Sequence, residues 1–479
     1  MLSLLWFTRD LRLDDNPALQ AALARGAVLP VYVLDDDDAG PWAAGGASRW
    51  WLHGALQSLD QELRARGSRL VLRRGRAREV LEKLLASTGA DAVYWSRRYE
   101  PWALARNEAL KTALRARGVQ AHSFNALLLR EPWELATQQG SPYRVFTPFW
   151  KALQAAGVAA PVDDAPARIA APEAWPASEP LDDWALLPQA PDWAGGLRAA
   201  WQPTPAAAQL RLQTFLAGPA FEYQEARNLP GVHGSSRLSP YLHFGQISPR
   251  QVWQAVEAAA QADGASTRPA GLHTYLSEIA WREFSYHLLY HYPQLPHTPL
   301  RPEFAAFPWA EAPDALRAWQ LGQTGYPIVD AGMRELWHTG WMHNRVRMIV
   351  ASFLIKDLLI PWQTGEQWFW DTLVDADLAS NAASWQWVAG CGADAAPYFR
   401  VFNPSLQGAK FDPAGSYVRH WVPELARLPD ACLHAPWEAR PVDLAAARVR
   451  LGHDYPAPLV DHAVARQRAL LAYEQLRKG

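Results

Sequence analysis

Cysteine is almost missing. Only Cys391 and Cys432 occur in 479 residues, with no CxxC spacing, so neither a disulfide framework nor a zinc ribbon can organise the chain. Lysine is scarce too, six against forty arginines. Arginine forks phosphate bidentately, but an Arg- and Ala-rich proteome gives the same bias. Charge of one sign is also lacking: the formal net charge is −2, so any nucleic-acid contact must come from a local basic face. No apolar run is long enough for a bilayer. "MIVASFLIKDLLI" is broken by Lys356 and Asp357, and the opening "MLSLLWFTRDLRL" turns charged too early for a signal-peptide core. A cytoplasmic chain with no membrane partner is expected. What is plentiful is tryptophan, 25 residues, many beside Arg, Asn or Asp in the C-terminal half.

Residues 1–130 alternate short apolar runs with amphipathic stretches. "LLWF", "VLPVYVLD", "RLVLR" and "AVYWS" predict strands, and helices are expected near 17–25, 50–66, 77–87 and 102–117. This alternation predicts an α/β domain built on a doubly wound parallel sheet, with ligands at the carboxyl ends of its strands. Neither GxGxxG nor GxxxxGK(S/T) occurs there, which disfavours a Rossmann dinucleotide site and a P-loop. Residues 131–199 thin into Ala, Pro and acid and predict a long interdomain connector. From 200 to 479 a 3.6-residue period dominates, so the second domain should be all-helical, with no internal repeat and no long tail after its last helix.

Several stretches carry more polar chemistry than packing requires. "YQEARNLPGVHGSSRLSPYLHFGQISPR" puts a Gly-flanked Ser-Ser-Arg before a helix, which suits a phosphate or an ordinary N-cap. "SEIAWREFSYH" places Glu278, Trp281 and Arg282 on one helical face, able to grip a base by edge and face, or to serve as a core Trp beside an ion pair. His287 and His291 stand at i, i+4 without an evident third ligand, so no metal is expected, and "DDDD" at 35–38 reads as a solvated turn. In "GWMHNRVRMIVASF", Asn344, Arg345 and Arg347 crowd the start of an apolar helix. "DADLASNAASWQW" packs Asp375, Asp377, Asn381 and two Trp into thirteen positions without any apolar period. Its acids could take a ribose hydroxyl, a ring N–H or the Arg347 guanidinium, or could cap a helix.

Together these stretches resemble the photolyase and cryptochrome family over essentially the whole chain, with class I cyclobutane pyrimidine dimer photolyases seeming nearest. "WFTRDLRLDDNPAL", "GSSRLSPYLHFGQISPR", "WREF", "TGYPIVDAGMREL", "GWMHNRVRM", "ASFLIKDLLIPW", "DADLASNAASWQWVAG" and "DAAPYFRVFNP" follow the family's order and spacing. The resemblance implies FAD buried in the helical domain and an α/β domain able to carry an antenna chromophore. Tyr223, Ser235, Ser236, Arg237, Leu238 and Ser239 would hold the phosphates and ribityl chain. Asp375, paired with Arg347, and Asp377 would flank the isoalloxazine and adenosine parts. Asn381 matches the residue facing flavin N5. Trp385, Trp362 and Trp309 fall on the family's electron-transfer chain. Glu278, Trp281, Asn344, Met348 and Trp387 match the pocket for the dimer, and Arg227, Arg282, Arg345 and Arg400 the rim that contacts DNA phosphates.

The implied function is light-driven repair of cyclobutane pyrimidine dimers in UV-damaged DNA by electron transfer from excited reduced FAD, in a monomer without an obligate protein partner. Asn344 occupies the dimer-contacting position in the region where (6-4) photolyases carry a His pair, which favours cyclobutane dimers. The antenna departs from the pattern. Trp102 and Ala103 replace the Asn-Glu of folate-binding relatives after "YE", and "YPQLPHTPLRPEF" lacks their Cys-Lys pair. A second chromophore of open identity, a deazaflavin included, and an empty antenna site are both compatible with the sequence. Two rival readings stand beside repair: a cryptochrome-like blue-light photoreceptor, against which Asn381 and the intact Glu278, Trp281 and Met348 set weigh, and a flavoprotein without photochemistry, which leaves the basic, Trp-lined pocket unexplained.

Overall fold

The computed structural model describes residues 1–162, 164–262, 268–395 and 399–478. The 396–398 part of the "DAAPYFRVFNP" motif lies outside them. The chain divides into two compact units, and neither is a single stretch of sequence. The first comprises Met1–Ala217, Ser236–Pro293 and Val374–Ala379; the second comprises Gly218–Ser235, Gln294–Leu373 and Ser380–Gly479.

The first unit is built on five parallel strands, β1 (Leu2–Phe7), β2 (Ala27–Leu34), β3 (Val71–Arg74), β4 (Ala92–Ser96) and β5 (Gln120–Phe124), in the order β3-β2-β1-β4-β5. Apolar residues on one sheet face, among them Leu4, Trp6, Val31, Val71, Val93 and Trp95, form a core with Leu81 and Leu84 of α3 (Ala77–Thr88) and Leu110 and Leu114 of α4 (Pro101–Ala116). Helix α1 (Pro17–Arg25) packs on β1 and β4, and its residues take no part in that core, which makes the sheet doubly wound. Asn16 starts α1 by accepting the Leu19 N–H at 3.1 Å, with Pro17 at the first helical position. The expected helix at 50–66 is α2, Gly46–Ala65. Asp35, expected in a solvated turn, instead accepts the Ala77 N–H at 2.8 Å and caps α3.

The 131–199 segment is largely irregular but holds helix α5 (Phe146–Ala156). It also runs along β3: Leu72 donates to Ser178 Oγ at 2.9 Å and Glu179 donates to the Leu72 carbonyl at 3.1 Å, so an edge strand does not present a bare row of polar groups. The long helix Ala270–His291 belongs to this unit. His287 and His291 both approach the Pro132 carbonyl, at 3.1 and 3.3 Å, and no group of metal ligands is found among the described residues.

The second unit is helical. Buried Asp330 explains the "TGYPIVDAGMREL" stretch: its carboxylate accepts the Thr324 N–H and hydroxyl at 2.7 Å, the Gly325 N–H at 3.0 Å and the Tyr455 hydroxyl at 2.6 Å, closing the turn before helix Pro327–Thr339. Among the described residues no helix is long and apolar enough to cross a membrane.

Gly245 marks the tightest approach in the first unit. It has φ +66°, and a Cβ there would lie 1.9 Å from the Arg9 carbonyl oxygen. Both the positive φ and the clash oppose any side chain. Gly245→Ala is expected to lower stability by at least about 2 kcal/mol, read from the urea unfolding midpoint. An unchanged midpoint would show that the Arg9 loop can move away.

Candidate functional site

In the first unit, helix Ala270–His291 presents Glu278, Trp281 and Arg282 at partly exposed positions. Trp281 is backed by Phe146 of α5, with ring centroids 3.9 Å apart and planes within 8°, so the connector helix holds the indole in one orientation. Arg282 is the member of the expected rim that lies in this unit. Its Nη1 donates to the Leu127 carbonyl at 2.8 Å and to Glu283 at 3.2 Å, and its side chain is only 13% exposed, so the guanidinium is engaged by the chain itself.

The loop carrying Asp375 and Asp377 belongs to the same unit, and both acids are buried. The Tyr286 hydroxyl donates to Asp377 Oδ2, with His243 Nδ1 at 3.6 Å and Arg9 Nη1 at 3.9 Å from that atom. Burial opposes ionisation of Asp377, but His243, Arg282 and Arg9 outweigh it and hold the carboxyl below its ordinary range. Burial and Arg9 push His243 down to about 4, and burial with Asp377 pushes Tyr286 up, so both partners are neutral at pH 7.

The Ser-Ser-Arg stretch precedes a helix, as expected, but a short one. Ser239–His243 is a five-residue helix, and Leu238 at its cap gives it no side-chain cap. Arg237 has φ +52°, and Ser236 Oγ accepts the Tyr275 hydroxyl at 3.0 Å. At the antenna-related position, Trp102 is faced by the guanidiniums of Arg98 at 4.6 Å and Arg106 at 5.2 Å.

In the second unit, Asn381 lies on helix Leu378–Ala389 and donates its amide N–H to the Glu366 carbonyl at 3.0 Å. Trp385 follows one turn later, 5.0 Å from Phe369 and 6.5 Å from Trp319. Helix Trp362–Thr372 passes against it at Gly365, where a Cβ would be 2.1 Å from the indole, and this close approach requires glycine. Trp362 sits one turn before Gly365. Trp309 is set beside the same helix's start, since Ala310 donates to the Leu359 carbonyl at 2.8 Å. Trp385 and Trp362 are buried while Trp309 is partly exposed, a gradient from interior to surface.

The same unit gathers arginines. Asn344 is exposed at the first position of helix Asn344–Ser352, capped by His343. Arg345 donates to Asn228 Oδ1 at 2.5 Å, lies 4.4 Å over Phe411 and reaches Met348 Sδ at 3.8 Å. Burial first, then the positive charges of Arg227 and Arg400, lower its pKa, so three guanidiniums stand close enough to repel. Arg227 faces the Tyr223 ring at 5.8 Å, Arg347 Nε donates to the Met342 carbonyl at 2.7 Å, and Trp387 donates to the Asp394 carbonyl at 3.1 Å.

Two residues that local reasoning passes over stand out. Arg9 follows β1 directly into the carboxyl end of the sheet, where a charge after a buried central strand is itself a signal. Glu366 is fully buried, with neither carboxyl oxygen partnered, and burial raises its pKa well above the ordinary 4.5. The folded protein therefore holds the Glu366 proton more tightly than the unfolded chain does, so this group weakens folding increasingly as pH rises above 4.5. Glu366→Gln is expected to raise the melting temperature relative to the parent at pH 8, with the difference vanishing near pH 4. Equal melting temperatures at both pH values would show that the carboxyl has a partner.

Residues 3–170 match a model of DNA photolyase, and residues 275–475 match the FAD binding domain of DNA photolyase. A deoxyribodipyrimidine photo-lyase of Agrobacterium fabrum is 50% identical, over 99% of this chain and 98% of its own. Cryptochrome-1 of Arabidopsis thaliana is 39% identical, over 97% of this chain and 69% of its own. The structure of a bacterial class III photolyase from Agrobacterium tumefaciens superposes with a TM-score of 0.95 at 50% identity, covering 100% of this chain and 98% of that one. The α/β sheet, the helical FAD-binding region and these relatives agree: the chain belongs to the photolyase and cryptochrome family.

Proposed function

We propose that the protein is a deoxyribodipyrimidine photolyase, a monomer of the cytoplasm that repairs cyclobutane pyrimidine dimers in UV-damaged DNA. The observation that carries the reading is the mutually repelling set of Arg227, Arg345 and Arg400, with Asn344 and Met348 beside Arg345. Guanidiniums held together against their own repulsion are stabilised by an anion, and the DNA backbone supplies one every few ångströms. The 50% identity to a photo-lyase supports the same reading.

The residues fit FAD. Glu366, whose backbone carbonyl accepts the Asn381 amide N–H, offers a buried carboxyl that burial biases toward its protonated form, able to meet both a donor and an acceptor of a ring edge. Asp377 offers an ionised acceptor for a ring N–H or a hydroxyl. We assign Tyr223, Ser235, Ser236, Arg237, Leu238 and Ser239 to the phosphates and ribityl chain, and Arg347, Asp375 and Asp377 to the rings and adenosine. When bound and reduced, FAD supplies the light-driven electron that splits the dimer. Asn381 holds a neutral amide toward the flavin, its N–H tied to the Glu366 carbonyl. Trp385, Trp362 and Trp309 refill the cofactor from the surface.

Trp281 and Trp387 stack on the extruded bases, a contact generally worth about 1 to 3 kcal/mol per base. Glu278 bonds the base edge. Base-flipping enzymes, photolyases among them, overcome about a few kcal/mol of unstacking, less at a damaged step. The antenna position, rich in Arg and Trp, is left to a second chromophore of unassigned chemistry. The 39% identity to Cryptochrome-1 supports a second reading, a blue-light photoreceptor using the same flavin and Trp chain.

Light-dependent repair of an oligonucleotide bearing one thymine cyclobutane dimer, with a dark control, decides between them. Repair in light alone is expected; binding without repair would favour the photoreceptor. Arg345→Ala is expected to weaken binding to damaged and undamaged DNA alike and to reduce the salt slope by about 1. Trp385→Phe is expected to abolish light-driven flavin reduction while leaving repair by chemically reduced protein. Retained photoreduction would reject this route.

A further inference from the structure

The Asp377 carboxylate is held to the α/β sheet by a cation from outside the helical FAD-binding region. Arg9 leaves the carboxyl end of the central strand β1, and its side chain is only 12% exposed. Its Nη1 lies 2.8 Å from Glu100, at the start of α4, and 3.9 Å from Asp377 Oδ2. Glu100 is in turn bonded by Arg98 at 2.7 and 3.2 Å. The Arg9 backbone cannot drift: Gly245 sits against its carbonyl, and the adjacent Leu11 N–H donates to the Phe244 carbonyl at 3.1 Å. Asp377 is 368 positions away in sequence, yet segment Val374–Ala379 falls in the same compact unit as the sheet.

We propose that Arg9 is a positioning residue for the cofactor, fixing the charge and orientation of Asp377 from the end of strand β1. The inference rests on the reading that Asp377 holds FAD. The Tyr286 hydroxyl bonds Oδ2 and orients the carboxylate, while His243 Nδ1 at 3.6 Å and Arg9 Nη1 at 3.9 Å stand against the same atom without a hydrogen bond. Tyr286 and His243 are neutral, so Arg282 and Arg9 compensate the charge. Glu100 keeps Arg9 in place and shares its charge, so the Arg9 part of the compensation depends on Glu100. Without Arg9, an under-compensated carboxylate would stand beside the flavin, and adding an electron there would become harder.

The test uses full-length protein and two readouts made in the dark: the dissociation constant for FAD on reconstitution, and the midpoint potential of the bound flavin. Arg9→Gln is expected to weaken FAD binding by about tenfold or more, and to move the potential to more negative values. Arg9→Lys, which keeps the charge, should restore most of both. In an Asp377→Asn background, Arg9→Gln should lose most of its effect, because contacting residues are non-additive. Glu100→Gln, which leaves Arg9 to Asp377 alone, should move the potential the opposite way, and it serves as the test should Arg9→Gln not fold. Parental affinity and potential in Arg9→Gln, or an equal loss in the Asp377→Asn background, would overturn the proposal, as would an unmoved potential in Glu100→Gln. Parental protein that binds no FAD would overturn the site reading and this inference together; flavin binding insensitive to Arg9 would overturn this inference alone.

Discussion

The first unit depends on a buried guanidinium. Arg12 is 1% exposed and gives its N–H groups to the Gly245, Asp15 and Ala126 carbonyls at 2.9, 2.6 and 3.0 Å. Burial lowers its pKa to about 10, still far above neutrality, so the charge persists inside. A buried cation is costly unless each donor finds an acceptor, and here the acceptors come from the loop after β1, the segment after β5 and the turn at Gly245. Any rearrangement that separates these segments strips acceptors from a desolvated charge. Arg250, 3.0 Å from Asp15, adds a second cation to the same joint. The sheet and segment Ser236–Pro293 are thereby obliged to fold as one body, although 233 positions separate Arg12 from Gly245.

This joint explains why the carboxyl end of the sheet is so polar. Asp10 accepts from the Thr8 N–H, Asn16 and Ser96 at 2.8, 3.1 and 2.6 Å, tying the ends of adjacent strands β1 and β4 together. In a doubly wound sheet this switch point is where ligands gather. Here much of it is occupied by the chain's own ion pairs. The loops of the α/β domain therefore supply buried charge that surrounds Asp377.

Legibility follows the range of the interactions. Helices α1 to α4 and strands β1 to β4 were visible because apolar periods and local caps, such as Asn16-Pro17, encode them within a few residues. Strand β5, "QAHSF", was not: as an edge strand it buries only Ala121 fully, so it carries no apolar run. Helix α5 hid in an Ala- and Pro-rich stretch because its apolar face is paired with distant Trp281 and Phe284. Motif order disclosed the family and with it the candidate residues. It could not reveal that Arg282 turns inward to the Leu127 carbonyl, nor that Arg9 meets Asp377, because each contact is made across more than a hundred positions.

The second unit shows the opposite electrostatic strategy. Around Asp377 charges are paired, whereas burial biases Glu366 toward its protonated form, and Arg345 is placed where Arg227 and Arg400 destabilise it. Neither arrangement favours the folded chain by itself, since each withholds solvent or a counter-charge from an ionisable group. Their common feature is an unmet demand of defined sign: a neutral hydrogen-bonding edge in the interior and an anion near the exposed Asn344. A flavin ring and a DNA phosphate have those two complementary properties. The costs are local, and on the proposed reading a bound flavin and a bound DNA strand would offset them.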